Sequence, residues 1–189
     1  MTSRNLEEYR ALRDTIRERG TARIWIFLAG LVAWAALTVA TAALAALPVA
    51  TLLPLLVLAG AFEAVFSLHV GVERIGRYVQ VFFEDDRPVE ATGEGSSPGW
   101  EHVAMAFGRP LAGTGVDPLF ASFFLLATIL NFIPVVLAEP ARIEVVVIGT
   151  AHVLFIGRIL AARWMAGRQR AADLERFQQL KRQAGVGSS

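Results

Sequence analysis

Residues 51–72 read TLLPLLVLAGAFEAVFSLHVGV, and this run decides the fold because it stays apolar for a bilayer's thickness while carrying Glu63 and His69 inside it. A helix rising about 1.5 Å per residue needs about 20 apolar residues to cross a hydrocarbon core about 30 Å thick. Three further runs have the same character: Ile24 to Leu47, Leu119 to Ala138 and Ile143 to Ala162. A backbone in lipid has to satisfy its own hydrogen bonds, so spanning helices are the economical reading of all four. The expected fold is an all-α integral membrane bundle of four transmembrane helices, arranged as two helical hairpins with cytoplasmic amphipathic helical extensions.

Charge sets the orientation. The net charge of +1 conceals a segregation: of 18 basic residues, all Arg except Lys181, only Arg142 falls on a short connection at one side. The segment before Ile24, the central loop and the C-terminal tail carry the charge of the other side, which by the positive-inside rule is cytoplasmic. Both termini are therefore expected in the cytoplasm, in a multi-pass protein of a bacterial inner (plasma) membrane. The preference for Arg reads as base composition. The first run is too long for the apolar region of a cleaved signal peptide, so it reads as a retained signal-anchor. With no cysteine in the chain, disulfides, thiolate metal sites and cysteine nucleophiles are excluded. Too little of the 189 residues remains outside the runs to build a separate soluble core.

Around the runs the chain divides into five segments. In residues 1–20, Asn5 and Glu8 form a capping-box pattern, and Leu6, Tyr9, Leu12 and Ile16 recur at helical spacing among Arg10, Arg13, Arg17 and Arg19. This cytoplasmic amphipathic helix either lies on the inner leaflet, with Gly20 turning the chain into a span capped by Thr21, or packs on the other cytoplasmic segments. Residues 24–77 make the first transmembrane hairpin and 119–163 the second. Their turns share an apolar-Pro-Val pattern and a second proline six residues on, Pro48 with Pro54 and Pro134 with Pro140, and Arg77 and Arg163 follow at matching places. The match suggests a duplicated two-helix unit, with Pro54 and Pro140 in first helical turns. Residues 78–118 are a cytoplasmic linker, acidic and Gly/Ser-rich over 84–99, with a short interfacial helix over Trp100 to Phe107, a turn at Gly113-Thr114-Gly115, and Asp117-Pro118 opening the third span. Residues 164–189 continue the last span as a cytoplasmic helix and tail, ending near Gly185, with Leu174, Phe177 and Leu180 available for contact within the cap or with another chain.

Function is sought among polar residues inside the spans, because a charge in lipid is expensive. Glu63 lies about 14 Å beyond Pro54, near the midplane. Counting from Pro54 and Pro140 puts His152 and His69 at neighbouring levels, each step about 5 Å. Three readings compete. In the first, Glu63 and His152, with Asn131 and Thr128, form an ion- or proton-handling site of an oligomeric channel or transport bundle, with Glu73, Arg74 and Arg158 at its cytoplasmic mouth; a buried carboxyl beside an imidazole can exchange a proton near neutral pH. In the second, His69 and His152 hold a b-type haem or a metal, with Gly71, Gly149 and Gly157 leaving room for the ring. In the third, the polar groups fix helix packing in an accessory or scaffold subunit of a larger membrane complex. Glu73 and Arg77, four apart, read as a helix-surface ion pair, and His102 as a surface residue. There is no HExxH, no Ser-His-Asp set and no nucleotide loop, so no enzyme is expected, and no cofactor beyond the haem alternative. The basic residues follow the membrane boundary rather than any nucleic-acid motif. The expected partners are the lipid bilayer and either further copies of the chain or a membrane complex.

Overall fold

The computed structural model describes residues 3–43, 48–84, 118–138 and 140–186, and the regular structure among them is entirely helical. Four helices are long and apolar enough to cross a membrane. They are α1 (Ser3–Ala43), α2 (Leu52–Val79), α3 (Pro118–Leu137) and α4 (Arg142–Val186). A 3-10 turn, Pro48–Thr51, leads into α2, and a π-helical turn, Gln80–Glu84, extends it. The expected interfacial helix over Trp100 to Phe107, the Gly113–Gly115 turn, Asp117, His102 and the end of the tail lie outside the described residues.

Residue pairs fix the helix directions. Gly30 lies against Ala61, Arg23 bonds His69 and Tyr9 meets Phe83, so α1 and α2 run antiparallel. Glu63 pairs with Arg158 and Arg77 with Asp173, so α2 and α4 run parallel. Phe27 packs on Phe120 and Phe124 while Trp34 reaches Asn131, which sets α3 parallel to α1. Successive helices therefore alternate in direction.

One aromatic cluster joins all four. The Phe62 ring meets Phe124 edge-on at 5.4 Å and Phe155 at 5.9 Å, and Phe27 meets Phe120 at 4.7 Å, separations at which aromatic edges and faces attract. Leu58, Val65, Ile159 and Ala162 are buried around these rings. The helices α1 and α2 approach closely at Gly30, where a methyl group would overlap the Ala61 side chain. Small residues at such a crossing let two backbones come within van der Waals reach.

Two local expectations are corrected. Residues 1–20 do not form a helix separate from the first apolar run: α1 is continuous for 41 residues through Gly20 and Thr21. A single glycine costs a helix only about 1 kcal/mol relative to alanine, too little to break one whose flanks are helical and packed. The two connections, expected to be alike, also differ. Pro48 begins a 3-10 turn, whereas Pro134 sits inside α3, where the Ala138 N–H bonds back to its carbonyl at 3.1 Å. Because Asn131 already lies beside Thr51, α3 runs on past the first connection by residues 131 to 137, about 9 Å.

At the opposite, charge-rich end the described part of α3 begins at Pro118, and the other three helices extend further. Tyr78 packs on Phe82 at 4.7 Å and on Phe177 at 5.7 Å, so Phe177 of α4 makes its contact within the same chain. Lys181 Nζ donates to the Val81 carbonyl at 2.6 Å, supplying one donor to the end of α2. The Tyr78 hydroxyl donates to Glu8 at 2.9 Å, tying α1 to α2. Burial first, then the Glu8 hydrogen bond and charge, raise the Tyr78 pKa above its ordinary value.

Candidate functional site

The polar residues of the apolar region fall into separate groups. The first is uncharged. Asn131 of α3 is 1% exposed and sits between three helices and the first connection. Its Nδ2 donates to the Thr51 carbonyl at 3.0 Å and lies 3.1 Å from His152 Nε2, while its Oδ1 accepts from Trp34 Nε1 at 3.2 Å. His152 Nδ1 lies 2.8 Å from the Ile148 carbonyl. A carbonyl can only accept, so Nδ1 carries the imidazole proton and Nε2 accepts from Asn131. That assignment gives every donor an acceptor, with a neutral imidazole and no surplus proton. The Phe132 ring meets that of His152 edge-on at 5.0 Å. Thr128 takes no part, because its hydroxyl donates to the Phe124 carbonyl of its own helix at 2.6 Å. Thr38 and Thr41 likewise bond back to Trp34 and Leu37. Such back-bonding is the ordinary resting place of a threonine in a helix.

Glu63 does not join this group. Its Oε2 accepts from Arg158 Nη2 at 2.7 Å, and the two side chains are 48% and 35% exposed on the flank of the bundle. The Arg158 guanidinium lies 5.1 Å from the Phe66 ring centre and 5.8 Å from that of Phe62, within cation–π range. Counting from the two prolines misplaced the level of His152, because α3 overshoots the first connection and α4 starts correspondingly later. Arg158, six residues further along α4, is the residue that comes level with Glu63. Residues 63 to 69 and 152 to 158 then separate His69 from His152 by about 18 Å of rise along parallel axes. The two imidazoles face no common site for a haem or a metal, and both are otherwise bonded.

The third group is charged and lies where the apolar region ends. Arg77 is 1% exposed and donates through Nη1 to Glu73 at 3.2 Å and through Nη2 to Asp173 at 3.0 Å. Arg74 also reaches Asp173, at 3.3 Å, and Arg170 bonds Glu73. His69 Nδ1 is 2.8 Å from Arg23 Nη1; a guanidinium only donates, so the His69 proton sits on Nε2, 3.6 Å from Glu73. Glu73 and Arg77 therefore form a buried ion pair rather than a surface one, because Arg170 and Asp173 of α4 close over it. Of the expected cytoplasmic mouth, Glu73 and Arg74 belong to this group and Arg158 does not.

Sequence reasoning missed Arg23, Asp173, Arg170 and Trp34 as members of these groups. No motif marks them. A Trp at the depth of an Asn on another apolar run was the one available signal, since a buried indole N–H needs an acceptor. Among the described residues no three His, Cys, Asp or Glu side chains are grouped so as to hold a metal ion. Comparison of the chain with protein families, with curated proteins and with solved structures finds no match.

Proposed function

We propose that this chain is a multi-pass integral membrane protein, its four helices paired as two transmembrane hairpins, with both termini in the cytoplasm of a bacterial cell. Its role is non-catalytic and architectural: it is an accessory or scaffold subunit that holds three helical extensions in a fixed relation beyond the inner membrane. The observation that carries this reading is the saturation of the polar groups at Asn131. Trp34, Asn131, His152 and the Thr51 carbonyl satisfy one another inside a core filled by Phe27, Phe62, Phe124 and Phe155. A conduction site needs groups that can exchange a partner for an ion or a proton, and a closed network of this kind instead favours packing.

Flux into liposomes tests it. Purified wild type is expected to pass protons and monovalent cations no faster than empty liposomes, and gently solubilised membranes are expected to yield the chain in an assembly of fixed stoichiometry. Flux above the empty-liposome rate that disappears in Glu63→Gln would overturn the architectural reading in favour of ion handling at Glu63.

A further inference from the structure

The Glu63–Arg158 pair is out of place on the outside of the bundle. It sits near the middle of the apolar run of α2, with residues 52 to 63 and 63 to 72 each spanning about 14 to 16 Å of rise, and both side chains are partly exposed there. Under the proposed membrane placement that exposure faces hydrocarbon, where an ion pair is poorly solvated and lipid head groups lie out of reach. Arg158 Nη1 is in addition enclosed without a hydrogen-bond partner.

The surroundings suit a close neighbour. On α2 the exposed residues Leu53, Leu56, Gly60, Glu63 and Ser67 follow one another at alternating three- and four-residue steps, the spacing of a helix-packing seam. On α4, Leu154, Arg158, Ala161 and Met165 make a second seam beside it, in which Leu154, Ala161 and Met165 are exposed. A side chain added at Gly60 would meet nothing within 4 Å, so the surface at the level of the pair is open.

We propose that this face binds a second copy of the same chain about a two-fold axis, Glu63 of each copy meeting Arg158 of the other. A single acid–base pair is its own complement under two-fold rotation: turned to face itself, it gives four charges of alternating sign, in which each carboxylate has two guanidinium neighbours. Gly60 and Ala161 allow the backbones to approach, and Leu53, Leu56, Leu154 and Met165 supply the apolar flanks.

Single-cysteine variants test the contact in native membranes, since the chain has no cysteine of its own. Gly60→Cys and Ala161→Cys are expected to cross-link on oxidation to a species of twice the 20.5 kDa chain mass, and Val153→Cys, exposed on another side of α4, is not. In the Gly60→Cys background, Glu63→Arg and Arg158→Glu are each expected to reduce the cross-linked fraction about tenfold. Expressed together they are expected to restore it as a mixed dimer, because one chain then presents two guanidinium groups at this level and the other presents two carboxylates. The milder Glu63→Gln and Arg158→Gln replace the reversals if those fail to accumulate. Monomer at both face positions, cross-linking at Val153 instead, a product heavier by some other protein's mass, or failure of the mixed pair to recover would each overturn the proposal. This inference rests on the membrane placement proposed above but not on the absence of conduction: flux without dimer defeats both readings, dimer with flux defeats only the architectural one, and neither dimer nor flux defeats only this contact.

Discussion

The polar group around Asn131 and the one around Arg77 tie together the same kind of helices by opposite means. The first uses an amide, an indole, an imidazole and a backbone carbonyl, with each donor matched to one acceptor and no net charge. The second, among the described residues, sets Arg23, Arg74, Arg77 and Arg170 against Glu73 and Asp173 and is left positive. Under the proposed membrane placement the difference follows distance from water. Deep in an apolar run an uncompensated charge has no second partner, so neutral groups that saturate one another are retained. At the end of the run, under the proposed membrane placement, head groups and water can balance excess cations.

The contrast can be broken in several places. Removing the buried guanidinium in Arg77→Ala takes from Glu73 and Asp173 their most buried partner, leaving them Arg170 and Arg74, and is expected to cost about 3 kcal/mol, read as an earlier loss of helicity on titration with SDS. Asn131→Leu leaves the Trp34 N–H, the Thr51 carbonyl and His152 Nε2 without partners and is expected to cost about 2 kcal/mol, independent of salt, with a change in Trp fluorescence. Arg74 is 56% exposed, so Arg74→Ala is expected to cost less than about 1 kcal/mol, and that loss should vanish in 1 M salt, where the Debye length falls to about 3 Å. If the Asn131→Leu loss proved salt-sensitive and the Arg74→Ala loss did not, the distinction between the groups would be wrong. The smallest effect is expected at Tyr78. Its folded-state pKa is raised by burial first and by Glu8 second, so the stabilisation from the neutral hydroxyl is fully present below the ordinary tyrosine value of 10.0 and is lost as pH climbs through the higher folded value. Tyr78→Phe should therefore lower stability slightly at neutral pH and flatten its decline at alkaline pH.

The four apolar helices and the long C-terminal helix were legible in the sequence because their signal is summed over about 20 residues and no single position can cancel it. The end of α4 near Gly185 was legible for the same reason: no breaker intervenes between Ile143 and that point. What failed were inferences from one residue at a time. Gly20 was read as a bend and Pro134 as a turn, yet each lies inside a helix whose neighbours outweigh it. The second error propagated, since the level of His152 was counted from the second proline of that turn, Pro140. His152 was rightly marked as buried and polar, but its partner is set by how far α3 overshoots Thr51, a quantity that depends on packing between helices and leaves no periodic trace in the chain. Arg77 illustrates the remaining limit. Its spacing from Glu73 was visible, whereas its burial depends on Asp173, nearly a hundred positions away.

The unbroken course of α1 has a mechanical consequence. A rod of 41 residues is about 60 Å long and contains no joint at which motion can be absorbed. The Arg23–His69 bond lies close to its midpoint. Beyond it on one side Gly30 seats on Ala61, and on the other Tyr9 and Glu8 hold to Phe83 and Tyr78, so the rod is fastened to α2 along its whole length. A load applied near Glu8 and Tyr9 is thus shared with α2 and carried along the rod to the seating of Gly30 on Ala61, so the helix works as a splint rather than a tether.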